Sequence, residues 1–211
     1  MIGGRQFGTA SDPEAEVTAS IGGRAVASWS VRPGFFVNRF ELPAGGLESR
    51  ETFLALNVTS HAKDAGGREA RVSLEQFDLQ SGAVPMLAFE DGWHEPEYNP
   101  VTAAAWRWMS DRAVLWIRPV GRDLTLRLVG ESPLRYFDEP PALRVMVGGA
   151  IAGQFRPAAD FTFDVLLPHG ALSATGGEVV VTSDKHFVPG ERDGSADRRR
   201  LALRIYKVSV R

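Results

Sequence analysis

The sequence has no cysteine among its 211 residues, which excludes disulfide bonds and thiolate metal sites. It has no apolar run near the roughly 20 residues that a membrane-spanning helix needs, so we expect no membrane span. The opening residues, MIGGRQFGTASDPEAE, contain no apolar stretch of the kind found in signal peptides. The compartment stays unknown at this point, because proteins on either side of a membrane can do without cysteine.

A surplus of basic residues is absent as well. The 24 lysines and arginines are outnumbered by 26 aspartates and glutamates, for a net charge of −2. Because nucleic-acid-binding domains neutralise phosphates with clustered basic residues, we expect no nucleic-acid partner. The hydrophobic fraction of 44% is ordinary for a globular chain and is enough to build a core.

Alternation of apolar and polar residues dominates what the sequence does contain. It runs through AVASWSV, FLALNV, LTLRLV, DFTFDVLL and LALRIYKVSV, and this is the period of strands with one buried face. Between such segments lie Gly-Gly, Pro-Gly and Asp-Gly pairs, which are typical of turns. The pattern predicts an all-β chain made of two tandem related β-sandwich units, jelly-roll-like, with the first one shorter or incomplete.

Two units are predicted because one stretch occurs twice, as IGGRAVASWSVRPGFFVNRFELPAGGL at 21–47 and as VGGAIAGQFRPAADFTFDVLLPHGAL at 147–172. Five landmarks recur in order, among them Gly22-Gly23 at Gly148-Gly149 (offset 126), Val58–Ser60 at Val181–Ser183 (offset 123), and Phe77 and Leu79 at Tyr206 and Val208 (offset 129). A period this long indicates a duplicated domain rather than a solenoid. The alternative is that unrelated amphipathic strands joined by Gly-Gly look alike. We place the units at residues 1–85 and 86–211.

The first unit is predicted to lack roughly three strands that the second one has. A sandwich without them would expose sheet edges and part of its core. Either the chain is a fragment of a longer protein, which we favour, or the missing strands come from the second unit or from a partner chain or dimer docked at the open edge.

Two segments of the second unit carry a family resemblance. One is Gly92 to Glu97 followed by Trp106 to Trp108, and the other is HFVPGERDGSADRRRLAL from His186. Together they resemble the C-terminal β-sandwich domains of bacterial membrane glycosyltransferases of the protein-mannosyltransferase type and of related surface-glycan proteins. The closing motif of that family is matched by Phe187, Pro189, Asp197, Arg199 and Leu201, and Ala202 stands where the family has glycine. The resemblance covers residues 92–211 and reaches residues 1–80 only through the repeat.

The resemblance implies a non-catalytic accessory module that contacts carbohydrate in a bacterial glycan or cell-surface system, outside the cytoplasm. Transferase activity is not implied, because the catalytic membrane half of those enzymes has no counterpart in this chain. The candidate ligand-binding residues are Trp93, His94, Glu95, Glu97, Tyr98, Arg135, Asp197 and Arg199. Trp93 is the predicted sugar-stacking ring, because it lies among polar residues, whereas Trp106 and Trp108 are predicted to fill the core.

The Asp197 and Arg199 pair admits two interpretations. The two side chains share one face of a strand, and with Glu95 or Glu97 they would form a structural ion network, which we favour. The same groups would otherwise hydrogen-bond the hydroxyls of a sugar.

Acidic loops raise the question of a metal. Asp184, Glu191 and Asp193 are candidate Ca²⁺ ligands, since calcium takes six to eight oxygen ligands. The alternative is that these carboxylates are simply solvated, and Asp193 to Asp197 do not form an EF-hand loop. We expect no cofactor, with Ca²⁺ as the alternative.

Two further functions stay open beside carbohydrate binding. One is a structural or protein-interaction sandwich that binds no sugar. The other is a glycoside-acting enzyme that uses Glu95 or Glu97 with Asp197 as its carboxylate pair. No G-x-S-x-G or H-E-x-x-H motif is present to suggest another chemistry.

Overall fold

The computed structural model describes residues 1–9, 11–42, 54–59 and 71–211. The prediction of an all-β chain is confirmed: the described residues form four antiparallel sheets and only short helices. The chain divides into two compact units, Met1–Leu79 and Gln80–Arg211, called here the first and second units. No helix among the described residues combines the length and the apolar character needed to cross a membrane.

The first unit contains six described strands. They are β1 (Ile2–Phe7), β2 (Ala15–Ile21), β3 (Arg24–Val31), β4 (Gly34–Asn38), β5 (Leu54–Thr59) and β6 (Arg71–Phe77). They form two three-stranded sheets, in the orders β4-β1-β6 and β3-β2-β5.

Strand β2 shows why alternation produces this fold. Ala15, Val17 and Ala19 are buried, while Glu16 and Thr18 between them point the other way. A side-chain period of two places every second residue on the inner face, so the sequence pattern alone decides which face of the strand is apolar.

The second unit contains ten strands and three short helical segments. The strands are β7 (Leu87–Phe89), β8 (Trp93–Asn99), β9 (Ala104–Met109), β10 (Arg112–Ile117), β11 (Leu124–Glu131), β12 (Leu143–Val147), β13 (Ala150–Phe155), β14 (Asp160–Leu167), β15 (Glu178–Ser183) and β16 (Leu203–Val210). The helices are α1 (His169–Ala174), α2 (Pro189–Asp193) and a 3-10 turn at Leu134–Tyr136.

These ten strands form two five-stranded sheets, β13-β12-β15-β10-β7 and β14-β11-β16-β9-β8. One cluster of buried residues joins the two sheets, with Leu126 and Leu128 from one sheet and Leu115, Val179 and Val181 from the other. Burying a side chain of this size contributes about 1.5–3 kcal/mol, so this shared core holds the sandwich together.

The strands of the first unit pair in the same order as the last six strands of the second. β1 lies between β4 and β6, and β11 lies between β14 and β16. β2 lies between β3 and β5, and β12 lies between β13 and β15. Strands β7 to β10 have no counterpart among the described residues of the first unit, which makes four strands where the sequence predicted about three.

The pairing registers also align the two units residue by residue. Gly4 of β1 and Gly130 of β11 each sit beside a bulge, opposite Leu74 and Ile205 respectively. Matching these glycines keeps the offset of 126 seen for the Gly-Gly turns. The same match aligns β6 with β16 as equivalent strands at an offset of 131, two residues more than the Phe77 and Tyr206 landmark suggested.

A similar correction applies to β5. Val17 pairs with Val58, and the equivalent Leu143 pairs with Ser183, so the offset there is 125 rather than 123. Ser60, which the sequence landmark matched to Ser183, lies outside the described residues. Both corrections are of two residues, which leaves the inner and outer faces unchanged. The two units therefore share a topology, and their origin by duplication stays a prediction.

Candidate functional site

Trp93, the predicted sugar-stacking ring, is a core residue, so that prediction is wrong. It is the first residue of β8, opposite Met109, and only 1% of it is exposed. Its indole Nε1 donates to the carbonyl oxygen of Val114 at 2.9 Å, and its ring meets Phe89 edge to face at 5.0 Å. A ring with both faces enclosed cannot stack on a sugar.

His94 ties three segments together at the start of β8. Its Nε2 lies 3.2 Å from Oγ of Ser110 and 3.1 Å from the carbonyl oxygen of Arg200. Its own carbonyl oxygen accepts a hydrogen bond from Nη1 of Arg107 at 3.0 Å. These contacts give His94 a positioning role between β8, the β9–β10 turn and the segment that leads into β16.

Arg199 brings together the carboxylates that the sequence nominated. Its Nη2 donates to Asp197 at 2.7 Å, its Nε lies 3.1 Å from both oxygens of Asp197, and its Nη1 donates to Glu97 at 2.9 Å. The second oxygen of Glu97 accepts from the indole Nε1 of Trp106 at 3.0 Å. We call Glu97, Trp106, Asp197 and Arg199 the Arg199 network.

The charges of the Arg199 network reinforce each other. The hydrogen bonds from Arg199 hold the pKa of Asp197 below its ordinary value, and burial opposes this effect. The same hydrogen bonds raise the pKa of Arg199. Asp197 is therefore ionised at neutral pH. The acid of a glycosidase must carry a proton, so Asp197 does not fit that role.

Arg204 and Arg200 belong to the same surface, although sequence reasoning did not single them out. Arg204 donates to Glu131 at 3.0 Å, and its guanidinium lies 4.9 Å and 5.0 Å from the ring centres of Trp106 and Trp108. Arg200 forms a two-point ion pair with Asp111. The signal available in the sequence was the arginine-rich run at 198–204. The partners of Arg200 and Arg204, Asp111 and Glu131, lie 89 and 73 positions away along the chain.

The candidate calcium ligands are not brought together. Asp184 accepts a hydrogen bond from the backbone N–H of Ala142 at 2.6 Å, and Asp193 accepts one from the N–H of Ser195 at 2.9 Å. The latter bond lowers the pKa of Asp193. Glu191 lies in the first turn of α2. Among residues 1–9, 11–42, 54–59 and 71–211, no three acidic or histidine side chains are grouped as a metal site would require.

The remaining candidate ligand-binding residues do not lie together. Glu95 and Tyr98 lie on β8, where Tyr98 is 62% exposed. Arg135 lies in the 3-10 turn, and its guanidinium covers the ring of Tyr136 at 4.7 Å. Of the eight predicted ligand-binding residues, the structure thus gathers Glu97, Asp197 and Arg199 into one network and places Arg135 at a different pocket.

That pocket opens beside the 3-10 turn and has a volume of about 380 Å³. It is lined by Arg135, Tyr136, Phe137, Asp138, Asp184, Lys185, His186 and Arg192, and we call it the Tyr136 pocket. The ring of Tyr136 stacks on Phe187 at 3.9 Å, and Phe187 meets the buried Trp108 edge to face at 5.7 Å. Tyr136 therefore packs against this small aromatic cluster and forms one wall of the pocket.

A scan against protein-family models finds none that matches this chain, and a search of curated proteins finds none similar in sequence. The resemblance to glycosyltransferase-associated sandwiches therefore stays a prediction.

Proposed function

We propose that the chain is a non-catalytic β-sandwich module that binds carbohydrate, and that the Tyr136 pocket is its binding site. The observation that supports this is the convergence of three separate segments, at 135–138, 184–186 and Arg192, around one open pocket. The bacterial surface-glycan setting is part of the proposal and rests on the sequence resemblance alone.

The chemistry of the Tyr136 pocket suits a polyhydroxyl ligand. Its volume of about 380 Å³ lies in the range of about 300–1,000 Å³ usual for small-ligand pockets. Asp138 and Asp184 offer acceptors, while Arg135, Lys185 and Arg192 offer donors, so both roles of a sugar hydroxyl are served. Tyr136 adds the edge of an aromatic ring, since its faces are taken by Phe187 and by the guanidinium of Arg135.

The geometry of the Arg199 network supports the non-catalytic part of the proposal. A retaining or inverting glycosidase needs one carboxyl group that carries a proton. Asp197, with its lowered pKa, is not that group, and both oxygens of Glu97 already have partners, Arg199 at 2.9 Å and the indole Nε1 of Trp106 at 3.0 Å. The pair behaves as a structural clamp between β8 and the segment before β16.

A glycan array tests carbohydrate binding. The wild type is compared with Arg192→Glu and Arg135→Glu, which reverse the charge of two exposed pocket side chains. Arg144→Glu, an exposed residue of β12 outside the pocket, is the matched control. We expect both pocket variants to lose the signal that the control keeps. Absence of binding to any glycan, or equal binding by all four proteins, would contradict the proposal.

A second candidate function, protein interaction, is favoured by the edge of β6 that no other described strand pairs with. Leu74 is 43% exposed, whereas its equivalent Ile205 is 3% exposed, because β9 pairs beside Ile205 in the second unit. Phe77 on β6 is 59% exposed. Within the described residues no strand covers this edge, and an apolar open edge is a template for strand addition. A second copy of the chain, added edge to edge at β6, would cover it.

Solution mass tests this second candidate. Light scattering over a dilution series should show a dimer that Leu74→Lys converts to monomer, since a charge on the edge opposes pairing. Ile151→Lys, an exposed apolar residue of β13 in the other unit, is the control and should leave the dimer intact. A wild type that is monomeric at every concentration would eliminate the β6 dimer.

A further inference from the structure

Strands β9 and β16 separate halfway along their length. Their pairing covers Leu203 with Met109, Arg204 with Trp108 and Ile205 with Arg107, and it ends there. The register of β16 on β11 shifts at the next residue, so Tyr206 is the extra residue of a bulge. A bulge bends and twists its strand, which is why β16 leaves β9 at this point.

The separation opens a pocket into the edge of the core. It is lined by Phe89, Pro96, Ala105, Trp106, Arg107, Ile205, Tyr206, Lys207 and Val208, and we call it the split pocket. Phe89 comes from the opposite sheet, so the pocket reaches between the two layers. Its volume is about 170 Å³. A cavity of about 150 Å³ lined by apolar side chains is large enough for one benzene molecule.

The lining combines apolar walls with a positive mouth. Phe89, Ile205 and Val208 supply apolar surface, and the rings of Trp106 and Tyr206 flank it. Lys207 is exposed at the mouth, and its ammonium has no acidic partner among the described residues. Small-ligand sites typically have this composition, with apolar walls and a few polar groups that set orientation.

We propose that the split pocket binds a small organic anion with one ring-sized apolar group, whose carboxylate faces Lys207. The apolar group occupies the volume between β9 and β16, contacts the buried Ile205 and covers the partly exposed Val208. The carboxylate stays at the solvent edge, where the ammonium of Lys207 attracts it without the cost of burying a charge. This site shares no lining residue with the Tyr136 pocket, so either proposal can fail without the other.

The test is a titration followed by NMR, with phenylacetate as the probe and neutral phenylacetamide as its uncharged counterpart. We expect saturable shifts of the methyl signals of Ile205 and Val208. Ala105→Phe fills the pocket from its exposed wall and should weaken binding of both probes at least about tenfold. Val101→Phe, which introduces the same ring at a position 91% exposed, should bind like the wild type.

Lys207→Gln separates charge recognition from apolar burial. It should weaken phenylacetate about two- to five-fold, the usual worth of an exposed ion pair, and leave phenylacetamide unchanged. The methyl spectrum of each variant shows whether it is folded. The proposal is overturned if neither probe shifts the Ile205 and Val208 signals, or if Ala105→Phe binds as well as Val101→Phe does.

Discussion

Arg199 is the central residue of the Arg199 network. It is the only cation in the Arg199 network, and it holds Asp197 and Glu97 at ion-pair distance. The guanidinium suits this task because its planar fork donates to two carboxylates at once. Without the guanidinium of Arg199, the carboxylates of Asp197 and Glu97 lose the ion-pair partner that they share.

Arg199→Ala should therefore lower the free energy of unfolding by about 1–2 kcal/mol, between the values for exposed and buried ion pairs. Urea denaturation measures this change. Arg192→Ala, at an exposed arginine outside the network, should stay within about 0.5 kcal/mol of the wild type. Equal effects of the two substitutions would show that the network contributes no stability.

Asp197 makes part of the stability depend on pH. Its folded-state pKa lies below the ordinary value of 3.8 because of the hydrogen bonds from Arg199. A group with a lowered folded-state pKa stabilises the fold above its unfolded pKa, and this contribution is lost as the pH falls through the folded value. Asp197→Asn should flatten the acid side of the stability profile, measured by urea denaturation from neutral pH downward. An unchanged acid slope would count against the ion pair.

Trp93 contributes through packing. Trp93→Ala removes a buried ring and the hydrogen bond to Val114, so we expect a loss of about 3–5 kcal/mol in unfolding free energy. Trp93→Phe keeps most of the packing and should be folded with unchanged glycan binding. A folded Trp93→Phe protein that has lost glycan binding would return Trp93 to the site.

At the scale of elements, the two units share a bulge that requires glycine. An added Cβ on Gly130 would lie 2.5 Å from the carbonyl oxygen of Arg204, and one on Gly4 would lie 1.9 Å from that of Ser73. Ser73 and Arg204 are equivalent under the offset of 131. The same close approach of backbone to backbone thus occurs in both units, at the point where β6 and β16 have their extra residue.

Gly130→Ala should destabilise the second unit by about 1–3 kcal/mol or more, since the clash is with backbone and cannot be relieved by a rotamer change. Gly170→Ala in α1 has open space around the added methyl and should be neutral or slightly stabilising. Thermal unfolding of both variants gives the comparison. If Gly130→Ala is as stable as Gly170→Ala, β16 approaches β11 less closely than described.

At the scale of the whole molecule, the second unit has the features of an independent domain. Its two sheets enclose one continuous core, and this cluster contains none of the described residues of Met1–Leu79. Residues 80–211 expressed alone should therefore fold cooperatively, with dispersed amide signals in an NMR spectrum. A fragment that shows collapsed, undispersed signals would mean that the second unit needs the rest of the chain.

Sequence reasoning succeeded where the deciding quantity is local. The strands β11, β14 and β16 follow the alternating segments LTLRLV, DFTFDVLL and LALRIYKVSV. It failed for Trp93, because its neighbours His94 and Glu95 are polar while its own side chain faces the core. The burial of a single residue depends on what packs around it in the fold. The residue paired with Trp93, Met109, is 16 positions away along the chain.

By itself, the sequence determined the all-β class and the face of each strand that is apolar, because a period of two is a property of neighbouring residues. Only the tertiary structure decided which charged groups meet. Glu97 and Arg199 are 102 positions apart, and they touch because β8, β9 and the segment before β16 lie side by side. The separation of β9 from β16 was likewise decided by the tertiary structure: the alternation of β16 shifts phase between Ile205 and Val208, which marks a bulge, but it does not show which neighbouring strand loses its pairing there.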